Sequence, residues 1–397
     1  MKASKVLSTI SRRDLFKLTG RYGISSVVMG AAAMTGAVTL PNIAKAAESE
    51  YEKRFANEPK HTLTLGAAGF NPQNLLIERA GVLTFARDLE ERTEGEIRVE
   101  FVGDNQICGQ LSCAEKAQLG VIDMYSASTQ NSAGSTPYLN VLDYAYMFRT
   151  RADQYHFLYS PESMDLLRNP LEERHGLKFL FSHCELRGIQ LGNSFADKGP
   201  VTSVTQLAGT KNRVTGTQLG RIAMELMDLN PVPVAWEETL DALRTGLIDG
   251  AETWASAVAY ANMSPAVTQS VDMGFFCGTE HTGMNAAVFD AMEPHLQDAI
   301  MESAYLAQVF VQHANEAALV NTVGFTDPPM PGTIFAENDV AVSIFTPEAR
   351  REAEEMCSPE FQPAAWEQWR ERINGWAGGR DTYQEIFDSV RANNPHT

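Results

Sequence analysis

The sequence predicts an α/β fold in which short strands alternate with helices. Two observations carry this prediction. Apolar and polar residues alternate over short stretches, as Leu63 and Leu65 do between threonines in 61–66, and longer stretches carry apolar residues at helical spacing. The connections between these stretches are short, which favours a parallel sheet covered by helices. With 397 residues, 44% of them hydrophobic, the chain can bury sizeable cores, and its length favours two or three lobes.

In the first half, the pattern starts with a half-buried strand and an amphipathic helix. That helix is predicted over 74–93, with Asn74 as its N-cap and Gly95 just beyond its end. A second, shorter helix is predicted over 114–120. The predicted strands of this half are 61–66, 96–102, 121–126 and 177–182.

The second half repeats the alternation and then becomes mainly helical. The predicted strands are 211–214, 232–235 and 247–252. The predicted helices are 201–209, 219–229, 236–246 and 296–323. The proline cluster at 328–332 ends the last of these, and the tail from Pro363 carries Trp366, Trp369 and Trp376 at helical spacing.

The net charge excludes two classes of partner. The chain has 32 basic and 50 acidic residues, which gives a formal net charge of −18. Such a chain lacks the positive field with which proteins bind nucleic acid, and an anionic membrane surface would repel it. We therefore expect neither nucleic acid nor a membrane surface as a partner.

The first 46 residues differ from the rest and are predicted to be a signal peptide. Seven basic residues and one acidic residue lie there, and an uncharged apolar stretch runs from 22 to 40. The small residues around Ala46 and Ala47 suit cleavage between these two positions. An uncleaved membrane anchor is the alternative; we disfavour it because polar residues and glycines interrupt the apolar stretch.

The paired arginines of this segment point to a particular export route. Arg12 and Arg13 resemble the twin-arginine (Tat) signal of bacteria, which implies the Tat export machinery as a partner and the periplasm as the destination. Cleavage after Ala46 would leave 351 residues with 25 basic and 49 acidic side chains, a net charge of −24. The exported protein is therefore expected to be more acidic than the whole chain.

The cysteines allow one short disulfide. Of the five, Cys108 and Cys113 are close enough in sequence to form a bridge, which the periplasm would permit and which would stabilise the fold by roughly 2 kcal/mol. Isolated buried thiols are an equally good interpretation at this point. An odd count leaves at least one thiol unpaired.

The sequence offers no support for an enzyme. The stretch after residue 46 contains no nucleophile elbow, zinc-protease, phosphate-loop or dinucleotide motif, and no C-x-x-C pair. His183 and Cys184 are its only adjacent histidine and cysteine, and such a pair alone does not make a metal site. We expect no cofactor, no metal and no catalytic residue. A Tat-exported redox or metal enzyme remains the alternative, since that route often carries cofactor-loaded proteins.

The segment 207–257 carries the most specific pattern in the chain. It resembles the signature of the DctP-type substrate-binding proteins of tripartite ATP-independent periplasmic (TRAP) transporters, which runs L-x-G-x-K-x-R-V and later P-V-P-x-x-x-x-E-x-x-x-A-L-x-x-G-x-x-D-G-x-E. The matching residues are Leu207, Gly209, Lys211, Arg213, Val214, Pro231, Val232, Pro233, Glu238, Ala242, Leu243, Gly246, Asp249, Gly250 and Glu252.

The resemblance implies a two-lobed periplasmic-binding-protein fold, with two sheets, flanking helices, a ligand cleft between the lobes and long C-terminal helices. The chain would cross between the lobes near 184 and 277. Lobe I would then comprise 47–184 and 278–320, and lobe II 185–277 and 321–397.

The implied function is solute binding for a TRAP transporter. A monomer would capture a small organic anion, a carboxylate or a sulfonate, by hinge closure and deliver it to the membrane permease subunits. A ligand-binding subunit of a membrane sensor would have the same fold and site, so it stays open as an alternative.

Two arginines are the candidate anion ligands. Arg213 ends a predicted strand just before the polar turn 215–217, where its planar guanidinium can pair with a carboxylate through two bonds. An ion pair between the lobes is the alternative, and the resemblance favours ligand binding because Arg213 matches the family's carboxylate-binding arginine. Arg187 matches a second, less universal arginine of the family, and an ordinary surface arginine is its alternative.

Three further candidates lie in or near the signature. Trp236 stands where the family often places an aromatic residue against the ligand, and Trp254 comes shortly after the Asp249 turn. Buried aromatic residues more often belong to a core, so that role stays open for both. Thr253 stands where many members carry asparagine, which implies a different ligand contact.

The first lobe contributes weaker candidates. Phe70, Ser128 and Thr129 lie after predicted strands, and ligands of open α/β sheets bind at the carboxyl ends of strands. His281, in the returning segment, is a further candidate. Any of these could be an ordinary loop residue instead.

Overall fold

The computed structural model describes residues 52–68 and 77–392 and shows an α/β protein built on a sheet of nine strands. The strands are β1 His61–Ala67, β2 Ile97–Val102, β3 Met124–Ser128, β4 Leu177–Leu191, β5 Lys211–Val214, β6 Asn230–Pro233, β7 Gly250–Thr253, β8 Gln269–Asn285 and β9 Ala341–Ile344. Their order in the sheet is β2-β1-β3-β8-β4-β7-β5-β6, and β9 also pairs with β8.

Helices cover the sheet. The longer ones are α1 Ile77–Arg92, α2 Cys113–Gln118, α3 Arg151–Tyr159, α4 Asn169–His175, α5 Gln218–Leu226, α6 Thr239–Thr245, α7 Ala255–Tyr260, α8 Pro294–Ala318, α9 Pro347–Cys357, α10 Pro363–Trp376 and α11 Thr382–Ala392. Shorter helices include Thr129–Ser132, Ala286–Asp290 and Ile334–Glu337. None of the helices in the described ranges combines the length and apolar character that crossing a membrane requires. The predicted signal peptide, with Ala46 and Ala47, lies outside the described residues, as do Phe70 and Asn74.

Two long antiparallel strands join the halves of the molecule. β4 has 15 residues and β8 has 17, and they pair along most of their length. The resemblance implied two sheets, and these strands connect them into one hydrogen-bonded sheet because each runs through both halves. Cys184 pairs with Thr279 and Leu186 with Cys277, so the two predicted crossing points lie close together on this ladder.

The long strands were the least predictable elements. The prediction ended the strand of β4 at residue 182 and contained no strand for β8. Both strands are buried almost throughout, including polar residues such as Ser182, Glu185 and Glu280. A strand that is buried on both faces shows no alternation of apolar and polar residues, so its sequence lacks the usual signal.

Other elements differ from their predicted bounds by a few residues or are shorter than predicted. The helix predicted over 201–209 is a single 3-10 turn, Val204–Leu207, capped by Ser203. The helix predicted over 236–246 divides into a 3-10 turn, Trp236–Glu238, and α6. β6 contains Pro231 and Pro233; it lies at the edge of the sheet, where a missing N–H group leaves no neighbouring strand unpaired.

Two signature residues hold the sheet together beside the site. The Asp249 carboxylate accepts a hydrogen bond from the Lys211 amide (2.9 Å), and the Asp249 amide donates to the Lys211 carbonyl (2.7 Å). At Gly250 a Cβ atom would stand only 2.5 Å from Asn212 Oδ1. Aspartate and glycine are therefore needed here for the close approach of β5 and β7.

The C-terminal helices pack across both predicted lobes. Trp366 of α10 and Tyr383 of α11 pack on Tyr144, with ring centroids 5.8 and 5.0 Å apart. Tyr144 belongs to the range predicted for lobe I, whereas α9 packs on β8 and α5. The predicted helical spacing of the tryptophans places Trp366 in the core, where its indole N–H donates to the Cys357 carbonyl (3.0 Å).

Cys108 and Cys113 form a disulfide, with their Cα atoms 4.9 Å apart. Both cysteines are buried beside α2. Cys184, Cys277 and Cys357 are free and buried. A loop this short gives the disulfide a stabilising effect of about 2 kcal/mol.

Candidate functional site

A narrow cavity of about 20 Å³ lies between the ranges predicted for the two lobes. Gln110, Ser128, Asn131 and Glu280 line it from lobe I. From lobe II it is lined by Arg187, Arg213, Thr215, Trp236, Thr253, Trp254, Ala257 and Tyr260.

The cavity lies where strands end. Ser128 ends β3, Thr253 ends β7, and Arg213 and Thr215 come from the end of β5 and the turn after it. Side chains at these positions meet because the carboxyl ends of neighbouring parallel strands lie at one edge of a sheet. Five predicted ligand contacts from lobe II and one from lobe I are therefore brought into a single cavity.

Arg187 is buried and paired with a carboxylate. Only 3% of the residue is exposed, and its guanidinium contacts both carboxylate oxygens of Glu252, with Nη2 donating to Oε2 at 2.9 Å. Nη2 also lies 3.3 Å from the Glu252 carbonyl oxygen. The surface position considered for Arg187 is wrong: it forms an ion pair in the cavity wall.

Arg213 has a different environment. It is 2% exposed; its Nε donates to the Val234 carbonyl (3.1 Å) and its Nη1 to the Glu252 carbonyl (3.3 Å). In the ranges 52–68 and 77–392 no carboxylate lies within ion-pairing distance of its guanidinium. Burial, together with the neighbouring Arg187 cation, lowers the pKa of Arg213 to about 10. A buried cation of this kind favours an anion in the cavity.

The Glu252 carbonyl oxygen places the two guanidinium groups side by side. It accepts a hydrogen bond from each arginine, at 3.3 Å in both cases. The Glu252 carboxylate forms its ion pair with Arg187 and acts on Arg213 only through space. Among the described residues, Arg213 therefore has no direct carboxylate partner.

Each arginine also contacts an aromatic ring. The Arg213 guanidinium carbon lies 5.4 Å from the centre of the Trp236 ring, and that of Arg187 lies 5.4 Å from the Trp254 ring. At Gly278, a Cβ atom would come within 2.3 Å of Trp254 Nε1 and 2.7 Å of Arg187 Cδ. Glycine at 278 therefore leaves the space that both side chains occupy.

Gln110 connects the lobe I residues of the cavity. Its Oε1 atom accepts hydrogen bonds from the Ser128 amide (2.9 Å) and from Asn131 Nδ2 (3.5 Å). Its Nε2 group donates to Glu280 Oε1 (3.3 Å). The Ser128 hydroxyl caps the short helix Thr129–Ser132. These bonds fix the orientation of the polar groups on this side.

His281 is a core residue, which corrects its prediction as a ligand contact. It is fully buried, with the Tyr125 hydroxyl 2.7 Å from its Nε2 atom and the Phe179 ring stacked on it at 5.3 Å. Burial lowers its pKa to about 3. Successive residues of a strand point to opposite faces, so the neighbouring Glu280 faces the cavity instead. Thr129 is also fully buried and donates to the Thr279 carbonyl (3.2 Å), outside the cavity lining.

The sequence prediction missed five polar or aromatic lining residues. They are Gln110, Asn131, Thr215, Tyr260 and Glu280. Thr215 and Asn131 come soon after strands, so their positions carried the same signal as Ser128. Gln110, Tyr260 and Glu280 reach the cavity only through tertiary folding.

Hydrogen bonds connect the two sides of the cavity. The Thr215 hydroxyl donates to Gln130 Oε1 (3.2 Å), and the Thr217 hydroxyl to Asn140 Oδ1 (3.0 Å). In both cases a residue of the range predicted for lobe II donates to a residue of the range predicted for lobe I. The turn 215–217 therefore touches the segment 130–140.

Asp143 lies buried near the Arg187 pair and should make stability depend on pH. Burial raises the pKa of its carboxyl to about 8, although the Arg187 guanidinium acts in the opposite direction. The unfolded chain releases this proton near pH 4, whereas the folded protein keeps it until about pH 8. The contribution of Asp143 to stability is therefore complete below pH 4 and is lost progressively as the pH rises toward 8.

We expect Asp143→Asn to remove this dependence. Relative to the variant, the wild type should lose about 1.4 kcal/mol of unfolding free energy per pH unit between pH 5 and 7. Urea unfolding of both proteins at several pH values measures the difference. The buried histidines are present in both proteins, so their contributions to the pH dependence cancel in the difference between wild type and variant. A difference that stays constant with pH would contradict the prediction.

Among the described residues, no group of three or more histidine, cysteine, aspartate or glutamate side chains is placed to hold a metal ion.

Comparison with known proteins gives a family and a set of relatives. The model of the family described as "DctP: Bacterial extracellular solute-binding protein, family 7" matches residues 70–364. The 2,3-diketo-L-gulonate-binding periplasmic protein YiaO of Escherichia coli is 28% identical over 222 residues, which cover 54% of this chain and 64% of that protein. The match thus spans less than two thirds of that relative.

Solved structures share the fold. A TRAP periplasmic solute-binding protein from Desulfovibrio salexigens, with bound orotic acid, has a TM-score of 0.70 and 15% identity, with 83% of this chain and 99% of that chain covered. One from Roseobacter denitrificans, with bound L-galactonate, has a TM-score of 0.64 and 18% identity, with coverages of 79% and 100%. Because the family model matches about three quarters of its length, the chain belongs to the DctP family of bacterial extracellular solute-binding proteins.

Proposed function

We propose that this protein is the solute-binding component of a TRAP transporter and that it captures a small organic acid in the cavity between its lobes. One observation carries the proposal: Arg213 is a buried cation with no carboxylate within ion-pairing distance among the described residues. A ligand carboxylate or sulfonate would supply the missing charge and accept two parallel bonds from the guanidinium.

The surrounding residues suit a ligand of this kind. Ser128, Asn131, Thr215 and Thr253 offer hydroxyl and amide groups, and aromatic rings supply apolar surface. The relatives add support, since the bound orotic acid and L-galactonate and the 2,3-diketo-L-gulonate of the YiaO name are all small organic acids.

The mechanism depends on the two strands that join the lobes. In this proposal the lobe boundaries lie near 184 and 277, and β4 and β8 bend there when the cleft opens. The ligand's acidic group binds Arg213, and the contacts of Thr215 and Thr217 with lobe I form as the cleft closes. The closed monomer then delivers its ligand to the membrane permease subunits. Ligand binding shifts the population toward the closed state because only that state offers both sets of contacts.

The export proposal is part of the same function. The twin-arginine segment would direct the folded chain to the periplasm, with cleavage between Ala46 and Ala47. N-terminal sequencing of the protein recovered from the periplasm locates that cleavage site.

A thermal-shift screen tests the binding function. The protein recovered from the periplasm is denatured and refolded to remove copurified ligand and then heated with carboxylic acids, sulfonic acids and the uncharged amides of the same acids. A ligand at 100 times its dissociation constant should add about 2.7 kcal/mol of stability. We expect at least one acid to raise the melting temperature and its amide to have no effect. If amides act as strongly as acids, or if no acid acts, the proposed anion site is wrong.

A further inference from the structure

The disulfide closes a loop that carries a residue of the cavity. Cys108 and Cys113 are bonded, and Gln110 lies between them in the loop 108–113. Gln110 lines the cavity and is 6% exposed, whereas the next residue, Leu111, is 58% exposed. A role for this loop in ligand binding rests on the proposed function and concerns what holds the lobe I side of the cavity in place.

Both ends of the Gln110 side chain form hydrogen bonds with other residues of the cavity. Its Oε1 atom accepts from the Ser128 amide and from Asn131 Nδ2, and its Nε2 group donates to Glu280 Oε1. The Ser128 hydroxyl in turn accepts from the Asn131 amide (3.5 Å). Ser128, Asn131 and Glu280 all line the cavity. A displacement of Gln110 would therefore release three lining residues at once.

The disulfide is the covalent anchor of this loop. The described residues 103–112, between β2 and α2, form neither helix nor strand. Cys108 is 3% exposed, and its sulfur packs against β1, where a Cβ of Gly66 would stand only 2.9 Å away. Lys116 of α2 adds one noncovalent bond, from its Nζ to the Ile107 carbonyl. The disulfide thus ties the loop to the start of α2 and seats it on β1.

The backbone hydrogen bonds within the loop span only a few residues. The Gly109 carbonyl accepts from the amides of Ser112 and Cys113 (3.0 and 3.1 Å). These bonds shape the turn, but they do not hold Cys108 against α2. Without the disulfide, part of the ordering of the loop would have to accompany ligand binding. A loop that is already held in its bound conformation binds more tightly, because less conformational entropy is lost on binding.

We propose that the disulfide between Cys108 and Cys113 is a redox switch for solute binding and that it acts by holding Gln110 against the lobe I side of the cavity. With the disulfide formed, the site has its full affinity. With both thiols reduced, Gln110 loses its covalent support and the affinity is low. Gln110 is the positioning residue through which the disulfide acts.

The reaction of the switch is thiol–disulfide exchange with a disulfide oxidant. Each cysteine loses one proton and the S–S bond forms between the two Sγ atoms, while the electron pair and both protons convert the disulfide of the oxidant into two thiols. The periplasm is oxidising, whereas the cytoplasm keeps thiols reduced. In the proposed export route, the chain would fold in the cytoplasm with low affinity and gain its full affinity after export. It would then reach the periplasm without a cytoplasmic acid in its site.

Hydrogen exchange tests the structural link without any ligand. The unfolded chain is refolded with glutathione disulfide or with dithiothreitol, because both sulfur atoms are buried in the folded protein. Alkylation after unfolding should then count three free thiols in the oxidised form and five in the reduced form. We expect the Ser128 amide, which donates to Gln110, to exchange at least tenfold faster in the reduced form. An unchanged rate would show that the disulfide does not hold Gln110 and would overturn the proposal.

Titration calorimetry tests the effect on binding. The probes are monocarboxylic, dicarboxylic and sulfonic acids of two to six carbons, and the acid with the lowest dissociation constant on the oxidised protein is used throughout. We expect the reduced form to bind this acid at least fivefold more weakly. The variant Cys108→Ser/Cys113→Ser should bind as weakly as the reduced form under both conditions. Equal affinities of the oxidised and reduced forms would refute the switch.

Gln110→Ala tests whether the disulfide acts through this residue, with Gln118→Ala as a matched control. Gln118 is a glutamine of α2 whose Nε2 group donates to Thr136 Oγ1 (3.3 Å), and it does not line the cavity. We expect reduction to change the affinity of Gln110→Ala less than twofold and that of Gln118→Ala at least fivefold. The stability lost on reduction, measured by urea unfolding, should be the same in both variants. A redox effect on affinity of equal size in both would mean that Gln110 does not transmit it.

The outcomes also separate this inference from the proposed function. If an acid binds equally well to both forms, the switch is wrong and the binding function stands. If no acid of any class binds to the oxidised protein, the proposed function is wrong and the switch fails with it.

Discussion

Arg213→Met is expected to abolish ligand binding without destabilising the ligand-free protein. The variant loses a bidentate pair with the ligand's acidic group, worth roughly 1.5–3 kcal/mol for each bond, so the affinity should fall at least about 100-fold. Methionine keeps the apolar bulk and removes a buried charge that lies beside Arg187. The free energy of unfolding should therefore fall by less than about 1 kcal/mol, because relief of that buried charge offsets the lost bonds to the Val234 and Glu252 carbonyls.

Calorimetric titration with the acid found in the screen, together with urea unfolding without ligand, measures both effects. Unchanged affinity would show that Arg213 does not bind the ligand. Arg221→Met is the matched control, since Arg221 is an exposed arginine in an i,i+4 pair with Glu225 outside the cavity. That variant should bind as the wild type does.

Arg187→Met, in contrast to Arg213→Met, is expected to lower the free energy of unfolding of the ligand-free protein. This change leaves the Glu252 carboxylate buried without its partner, with 1% of Glu252 exposed. Removing one member of a buried ion pair typically lowers stability by about 3–5 kcal/mol. Urea unfolding of the ligand-free variant should show a loss of about this size, whereas Arg213→Met should not.

The double variant Arg187→Met/Glu252→Leu provides the control. Without either charge, no uncompensated ion remains, so much of the lost stability should return. The coupling between the two positions is obtained from the double-mutant cycle. Additive losses in the cycle would mean that the two side chains do not stabilise one another and would contradict the ion pair.

The different roles of these arginines arise from one local geometry. Ile189 pairs with Glu252 between β4 and β7, which brings Arg187 beside the Glu252 carboxylate. Arg213 approaches from β5 and donates to the carbonyl oxygen of Glu252, not to its carboxylate. One glutamate therefore serves as ion-pair partner to one arginine and as positioning residue for the other.

Six of the residues predicted to contact a ligand line the cavity. Ser128 and Arg213 were predicted there because each lies at or just after the end of a predicted strand, and the resemblance to the family added Arg187, Trp236, Thr253 and Trp254; all six line the cavity. The strand of β8 carried no such signal because it is buried on both faces. The prediction therefore selected His281 on this strand, whereas Glu280 is the residue that lines the cavity. Successive residues of a strand point to opposite faces, so an error of one position replaces a cavity residue by a core residue.

The sequence by itself determined the acidic character, the alternation of strands and helices, and the family signature with Arg213 at a strand end, since each of these is a local property of composition or spacing. Only the tertiary structure decided which arginine is paired and which carboxylate enters the cavity. Those outcomes depend on the register of β4 against β7 and β8, which brings together residues as far apart in the chain as Leu177 and Asn285. Electrostatic energy depends on distance and burial, and neither can be obtained from the local pattern of residues.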